Sequence, residues 1–408
     1  MIELEDRLSR PGHRTLAIVL KVAERCNLAC TYCYFFFGGD DSYLKHPALI
    51  SPQTAQHVAQ FLGDAARLHR LERIEVALHG GEPLLLKPKR MAHLIEALHA
   101  AMPSSCELEV ALQTNGVLID EKWIDLFEEF EVGIGISLDG PRQVNDLARL
   151  DKKGRSSFDE TIAGWWLLKA AAKDGRIKEP GILSVISPTT DAQTFAFFTQ
   201  DLEARSLNFL LPDRFHDAPG VEPGAIDRVG RSMIDIFDEW SAQCDPAVKV
   251  RFVNDALLPM IAPISASSSH KFREDLSRAM TIASDGTIYV EDTIRGAFAG
   301  QMDETLNVAV AEVADVLGHP HWQMVAAAAQ RLPRACQACR YGEICQGGPL
   351  VSRFSSAASF DNPSLYCSAL YDFHRHVERE VGGAGRLLPL EISPILETPG
   401  REEIVCPS

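Results

Sequence analysis

Short apolar runs alternate with longer segments of helical period from about residue 14 to 213, the pattern of repeated strand-helix units that build a parallel sheet. Six runs are rich in Val, Ile and Leu: Leu16 to Lys21, Ile74 to Leu78, Leu108 to Gln113, Val132 to Ser137, Ile182 to Ser187 and Leu207 to Leu211. Such composition predicts strands covered on both faces. The segments between them open with helix signals. Ser51-Pro52 offers an N-cap and a first-turn proline, Asp120 caps the stretch to Phe130, and Thr190-Asp191 begins one ending near Arg205. Six units are fewer than the eight of a closed barrel, so the predicted fold class is α/β, a partial (β/α)6 barrel.

Beyond residue 213 the pattern changes. Pro219-Gly220 and Pro223-Gly224 punctuate the chain, helical periodicity follows, and Asp285-Gly286 sits between apolar runs as a hairpin turn would. We divide the chain into a barrel (14–213), a bridging region (214–330), a small cysteine-bearing module (331–375) and a tail (376–408). The module is too poor in core residues to fold without a staple or a metal.

At roughly 150 residues per domain, 408 residues suffice for this arrangement. No apolar run reaches the roughly 18 residues of a membrane span. The net charge of −16 repels a phosphate backbone and argues against nucleic acid as a partner. The acidic start Met1-Ile2-Glu3 shows no targeting segment, so the expected compartment is the cytoplasm. Ten cysteines in a reducing compartment suggest metal or catalytic chemistry rather than disulfides.

Cys26, Cys30 and Cys33 fall just after the first strand. Three thiolates on one loop suit a metal or a cluster with one coordination position left open; a zinc loop completed by a distant ligand is the alternative on spacing alone. Cys26-x3-Cys30-x2-Cys33, with an aromatic at Tyr32, resembles the cluster loop of the radical S-adenosylmethionine (SAM) enzymes. The resemblance implies a [4Fe-4S] cluster whose fourth iron is chelated by SAM, and reductive cleavage of SAM to a 5′-deoxyadenosyl radical. It also implies cofactor contacts from Tyr32, from Gly80-Gly81-Glu82 after the second strand, from Gln113 and Asn115 after the third, and from Ser137 and Arg149 around the fourth. Glu82 is expected to accept from the SAM ammonium and Arg149 to pair with its carboxylate.

Cys336-x2-Cys339-x5-Cys345, followed by Cys367, is a closed set of four thiols, open on spacing alone to zinc or iron-sulfur. The segment resembles the SPASM extension of radical SAM enzymes, which usually carries two auxiliary clusters. Here the family's glycine-glycine-cysteine is Gly347-Gly348-Pro349, and Glu291 stands where a cysteine follows the hairpin. No cysteine lies between Cys244 and Cys336. The resemblance therefore implies one auxiliary [4Fe-4S] cluster, two clusters per chain. Asp292 matches the aspartate that serves as catalytic base in sulfatase-maturing relatives; a hairpin aspartate satisfied by local backbone is the other reading. The pairs His319/His321 and His374/His376 lack a third ligand nearby in sequence, and Cys106, Cys244 and Cys406 read as core or surface thiols.

Tyr32 to Asp40 and the cysteine-free hairpin look most like the maturases that form cyclophane crosslinks in ribosomal peptides. The expected function is abstraction of a side-chain Cβ hydrogen from a precursor peptide and crosslinking to an aromatic ring, with a flavodoxin- or ferredoxin-type electron donor. No leader-binding domain fits before residue 14, so recognition falls to the body or another chain. The alternatives are sulfatase-type formylglycine formation and a non-catalytic zinc-bound scaffold.

Overall fold

A computed structural model describes residues 14–218, 223–261, 279–298 and 306–382. Pro219-Gly220, the Leu387 to Leu390 segment and Cys406 lie outside these residues. The six expected strands are present as β1 (Thr15–Ala23), β2 (Arg73–Gly80), β3 (Glu107–Thr114), β4 (Gly133–Ser137), β5 (Gly181–Val185) and β6 (Ser206–Leu210), each parallel to its neighbour. Three more join them, β7 (Lys249–Val250), β8 (Ala279–Ile282) and β9 (Ile288–Tyr289), in the order β7-β6-β5-β4-β3-β2-β1-β8-β9. The bridging region is thus part of the sheet. β7 and β9 are two residues long and β8 four, too short to show a period, and β8 is buried throughout because it pairs with β1.

Helices α1 (Pro52–Leu68), α2 (Pro88–Ala101), α3 (Glu121–Glu129) and α4 (Phe158–Lys173) connect the barrel strands. The expected caps form: Ser51 Oγ accepts from Thr54 N at 3.0 Å, and Asp120 Oδ1 accepts from Trp123 N at 3.2 Å, each contributing about 1 kcal/mol. α5 (Ala192–Ala196), opened by an Asp191–Thr194 capping box, runs into a π-turn.

The strands are not covered equally on both faces. Leu16, Ile18 and Leu20 are buried, while Ala17 and Val19 line a cavity of about 1220 Å³ inside the open barrel. This is the two-residue alternation of a strand with one dry and one wet face. The inner face also carries Glu75, Glu107, Glu109 and Glu131 near the amino ends of the strands.

The bridging region adds α6 (Pro223–Gln243), α7 (Arg251–Ile261) and α8 (Pro320–Gln330). Trp322 of α8 is fully buried and donates from Nε1 to Ala279 O at 3.2 Å, fixing the start of β8. The final helix α9 (Cys367–Gly382) runs past residue 376, where the tail was placed, because its apolar face packs on the bridge: the Phe373 ring lies 5.3 Å from Phe252 and 6.3 Å from Phe237. Cys244 is disulfide-bonded rather than a free thiol. Among the described residues no helix is long and apolar enough to cross a membrane.

Candidate active site

The loop carrying Cys26, Cys30 and Cys33 crosses the carboxyl ends of the strands and ends in one helical turn, Tyr34–Phe37. Leu28 N donates to Cys26 Sγ at 3.3 Å, and Asn115 Nδ2 holds the loop through Asn27 Oδ1 at 2.8 Å. All three thiols are half-buried. Burial pushes Cys26 up to about 12, with Glu82, Cys30 and Cys33 adding to the rise, and burial also raises Cys30 and Cys33. Three such thiols become thiolate ligands only beside strong positive charge, which a metal supplies. Among the described residues no three His, Cys, Asp or Glu side chains converge closely enough for one ion. A cubane, whose thiolates bind separate irons, fits this wider set better than tetrahedral zinc does.

Gly80 and Gly81 press the strap after β2 against this loop. Gly80 has φ +150°, and a Cβ there would lie 2.1 Å from Ala23 O; at Gly81 it would lie 2.4 Å from Arg25 O. The glycines are required by this backbone contact, with or without a cofactor. Glu82 departs from its expected role. It is 1 % exposed, Oε1 accepts from Leu84 N at 3.0 Å and Thr114 Oγ1 at 2.7 Å, and Oε2 accepts from Asn115 N at 2.9 Å. Its carboxylate ties the end of β2 to the end of β3 instead of facing a ligand. Asn115, also buried, is a positioning residue for the Cys26 loop. Gln113 and Ser137 do sit half-buried on the inner face, Gln113 Nε2 donating to Ser137 Oγ at 2.8 Å across Gly135.

Tyr32 OH donates to Asp139 Oδ2 at 2.7 Å and accepts from Arg149 Nη1 at 2.7 Å. This buried triad places the Arg149 charge near enough to Cys30 to favour its thiolate. Asp139, in the segment ending the fourth strand, is a member the sequence did not single out.

Across the mouth lies a second network. Lys21 Nζ, at the inner face of β1, donates to Asp292 Oδ2 at 2.5 Å and to His79 Nδ1 at 3.2 Å, and Tyr34 OH also donates to Asp292 Oδ2. Asp292 therefore is not a locally satisfied hairpin aspartate: it begins a 3-10 turn, Asp292–Phe298, and its partners come from β1 and the cysteine loop. Burial alone would raise it, but the attraction of Lys21, with His79 and Arg295, holds it down at about 2. Arg295 anchors the turn by donating to Asp40 Oδ2 at 2.7 and 3.0 Å, and Glu24 Oε1 accepts from Ser284 N at 3.0 Å. Lys21 and His79 were legible as polar residues at inward positions of apolar strands; reading the strands as covered on both faces hid them.

In the C-terminal module Cys336, Cys339, Cys345 and Cys367 all line one small hollow, with Cys367 in the first turn of α9. Burial, then the three neighbouring thiols, push Cys345 up to about 12, so this set also fits a metal cluster. The histidine pairs are otherwise employed: His319 Nδ1 accepts from His321 N at 3.3 Å at the start of α8, His374 is buried, and His376 Nε2 pairs with Asp238 Oδ1 at 2.6 Å. A cavity of about 330 Å³ separates module from barrel, with Asp213 and Glu291 on one side and Cys345 on the other.

Residues 20–177 match the model of the Radical SAM superfamily. The serine-type anaerobic sulfatase-maturating enzyme of Klebsiella aerogenes is 30% identical over 356 residues, covering 84% of this chain and 81% of its own. The cysteine-type anaerobic sulfatase-maturating enzyme of Clostridium perfringens is 23% identical over 374 residues, 88% of this chain and 96% of its own. The solved structure of native anSMEcpe with bound AdoMet and Cp18Cys peptide has the same fold at TM-score 0.76 and 21% identity, over 90% of this chain and 98% of that one.

Proposed function

The chain belongs to the anaerobic sulfatase-maturating group of radical SAM enzymes, and from that we propose that it oxidises one side chain of a peptide substrate, in the manner of formylglycine formation from Ser or Cys. Membership in this group supports the formylglycine alternative better than the cyclophane-forming likeness expected from Tyr32 to Asp40. Cys26, Cys30 and Cys33 would hold the [4Fe-4S] cluster that accepts SAM, and Cys336, Cys339, Cys345 and Cys367 an auxiliary cluster. When bound, the first cluster and SAM supply a 5′-deoxyadenosyl radical that takes a hydrogen atom from the substrate.

The chain's own groups prepare the site. Arg149, held by Tyr32, is the expected partner of the SAM carboxylate, and Gln113 and Ser137, bonded to each other at the ends of neighbouring strands, are further expected contacts. Glu82 and Asn115 fix the loop. The observation that carries a peptide as substrate is the 30% identity over 356 residues to a sulfatase-maturating enzyme, together with the shared fold of a structure solved with a bound peptide.

Anaerobic reconstitution, reduction, SAM and the Cp18Cys peptide or its serine form test the proposal. Release of 5′-deoxyadenosine with a hydrazide-reactive aldehyde on the peptide is expected; release of neither would sink it. One observation favours a second reading, crosslinking: no cysteine lies between Cys244 and Cys336, so the hairpin resembles that of the crosslinking maturases. A crosslinked product would show loss of two hydrogens without hydrazide reactivity.

A further inference from the structure

Reductive cleavage of SAM needs an electron from outside the chain, so a surface beside the Cys26–Cys33 loop must receive its carrier. Two flanks of the loop reach solvent. On one, the turn after Arg149 is bridged to the loop between Leu28 and Asp151 and exposes Lys152 and Lys153. Its other cations are spent, Arg155 on Asp151 at 2.6 Å and Arg142 on Asp159.

The other flank is different. Segments 42–52 and 80–92 carry Lys45, Lys87, Lys89 and Arg90, and their only carboxylate is the buried Glu82; Asp41 just precedes them. Arg25, next to Cys26, joins this set. Arg25 Nη1 donates to Tyr43 O at 3.0 Å and Arg90 Nη2 donates to Ile50 O, so the cations flank one short segment. Leu44, within it, is 63 % exposed. An apolar spot rimmed by charge has the anatomy of a protein interface. At the amino ends of the strands the sign reverses, with Glu75, Glu96, Glu107, Glu109, Glu129 and Glu131 around the cavity mouth.

The basic residues stand where helix α2 is least served by them. Lys87 is its N-cap at φ +72°, a backbone conformation that disfavours a side chain, and Lys89 and Arg90 fall in the first turn, where the helix dipole repels cations. Lys87 and Lys89 have no carboxylate partner among the described residues. Local rules broken without a local gain mark a functional position.

We propose that this face is the docking surface of the electron carrier, a small acidic protein of the flavin or iron-sulfur class. The inference rests on the cluster assignment in the reading above. One electron passes from the reduced carrier to the cluster on Cys26, Cys30 and Cys33: the carrier is oxidised by one electron, the cluster is reduced by one, and no atom or proton moves. The route is short, because Glu82 N donates to Arg25 O at 2.9 Å and Arg25 is bonded to Cys26. The cations attract an acidic partner and the glutamates at the far end of the barrel repel it, which orients the encounter.

The test compares the cluster-loaded full chain with Lys87→Glu/Lys89→Glu and with Lys152→Glu/Lys153→Glu, a charge-matched control on the other flank. The probes are a flavodoxin, a ferredoxin and dithionite. In Lys87→Glu/Lys89→Glu the Kd for the protein carrier, read by anisotropy of the labelled carrier, and its KM in 5′-deoxyadenosine release both rise at least about tenfold. The difference shrinks at high salt, and release driven by dithionite is unchanged. Glutamates suit the start of a helix, so this variant unfolds at equal or higher urea than wild type, which separates lost docking from lost folding. Unchanged Kd and KM, an equal loss in the control, or no binding of either carrier to the wild type overturns the proposal. A raised peptide KM under dithionite assigns the face to the substrate and overturns it too. If the wild type releases no 5′-deoxyadenosine even with dithionite, the radical reading fails instead, and the carrier Kd alone decides the surface.

Discussion

Lys21 and Asp292 are 271 positions apart in sequence, yet Lys21 Nζ donates to Asp292 Oδ2 at 2.5 Å with both side chains enclosed. The pair joins the first strand of the barrel to the segment after the β8-β9 hairpin. Lys21→Met strands the Asp292 carboxylate in a buried site, and a loss of about 3–5 kcal/mol in urea unfolding at neutral pH is expected. Lys21→Met/Asp292→Asn recovers most of it. The sign with pH follows from the depressed value of about 2. The pair stabilises fully above the unfolded carboxylate value of about 4 and loses that contribution as pH falls toward 2, so the acid-side slope of the wild type is shallower in Lys21→Met.

Asp213 and Glu291 act in the opposite direction. Burial, then Glu291 and Asp292, push Asp213 up to about 8. A raised carboxyl favours the folded state while protonated, and this contribution is lost as pH rises from about 4 through about 8. Asp213→Asn is expected to unfold at higher urea than wild type at pH values near 8, with a flatter pH dependence over that window; identical slopes would contradict the raised value.

Glu82 satisfies three donors from two later segments of the chain, Leu84 N, Thr114 Oγ1 and Asn115 N. Glu82→Ala leaves them unpaired in the interior, at a cost on the order of 2–3 kcal/mol. Because Asn115 in turn holds the Cys26 loop, the variant also loads less iron after reconstitution. Glu82→Gln keeps one acceptor oxygen and is expected to fall between the two.

Two cysteine sets predict about eight irons per chain at four per cubane. Cys345→Ala removes about half, leaving SAM cleavage measurable, whereas Cys30→Ala removes the other half and abolishes 5′-deoxyadenosine release. Iron near twelve per chain would mean ligands other than these seven cysteines.

The six barrel strands, their caps and both cysteine sets were legible because each is a local signal: an apolar run, an Asp or Ser before a helix, a short spacing of thiols. The strands β7, β8 and β9 were not, since two to four residues carry no period and their pairing with β6 and β1 is a tertiary fact. The same limit applied to side chains. Glu82 stood in the expected motif, but that its oxygens turn toward Thr114 and Asn115 depends on two strand ends meeting. Lys21 was counted as the last residue of an apolar run, and only the open inner face of the barrel gives its charge a purpose.

The sheet has two free borders, β7 and β9, and the cavity bounded by Asp213, Glu291 and Arg251 lies along the gap between them. A slot of this kind can admit the middle of a polypeptide sideways, without requiring a free end to be threaded through a ring. Under the proposed peptide oxidation, such an entry suits an internal residue of a chain that continues in both directions.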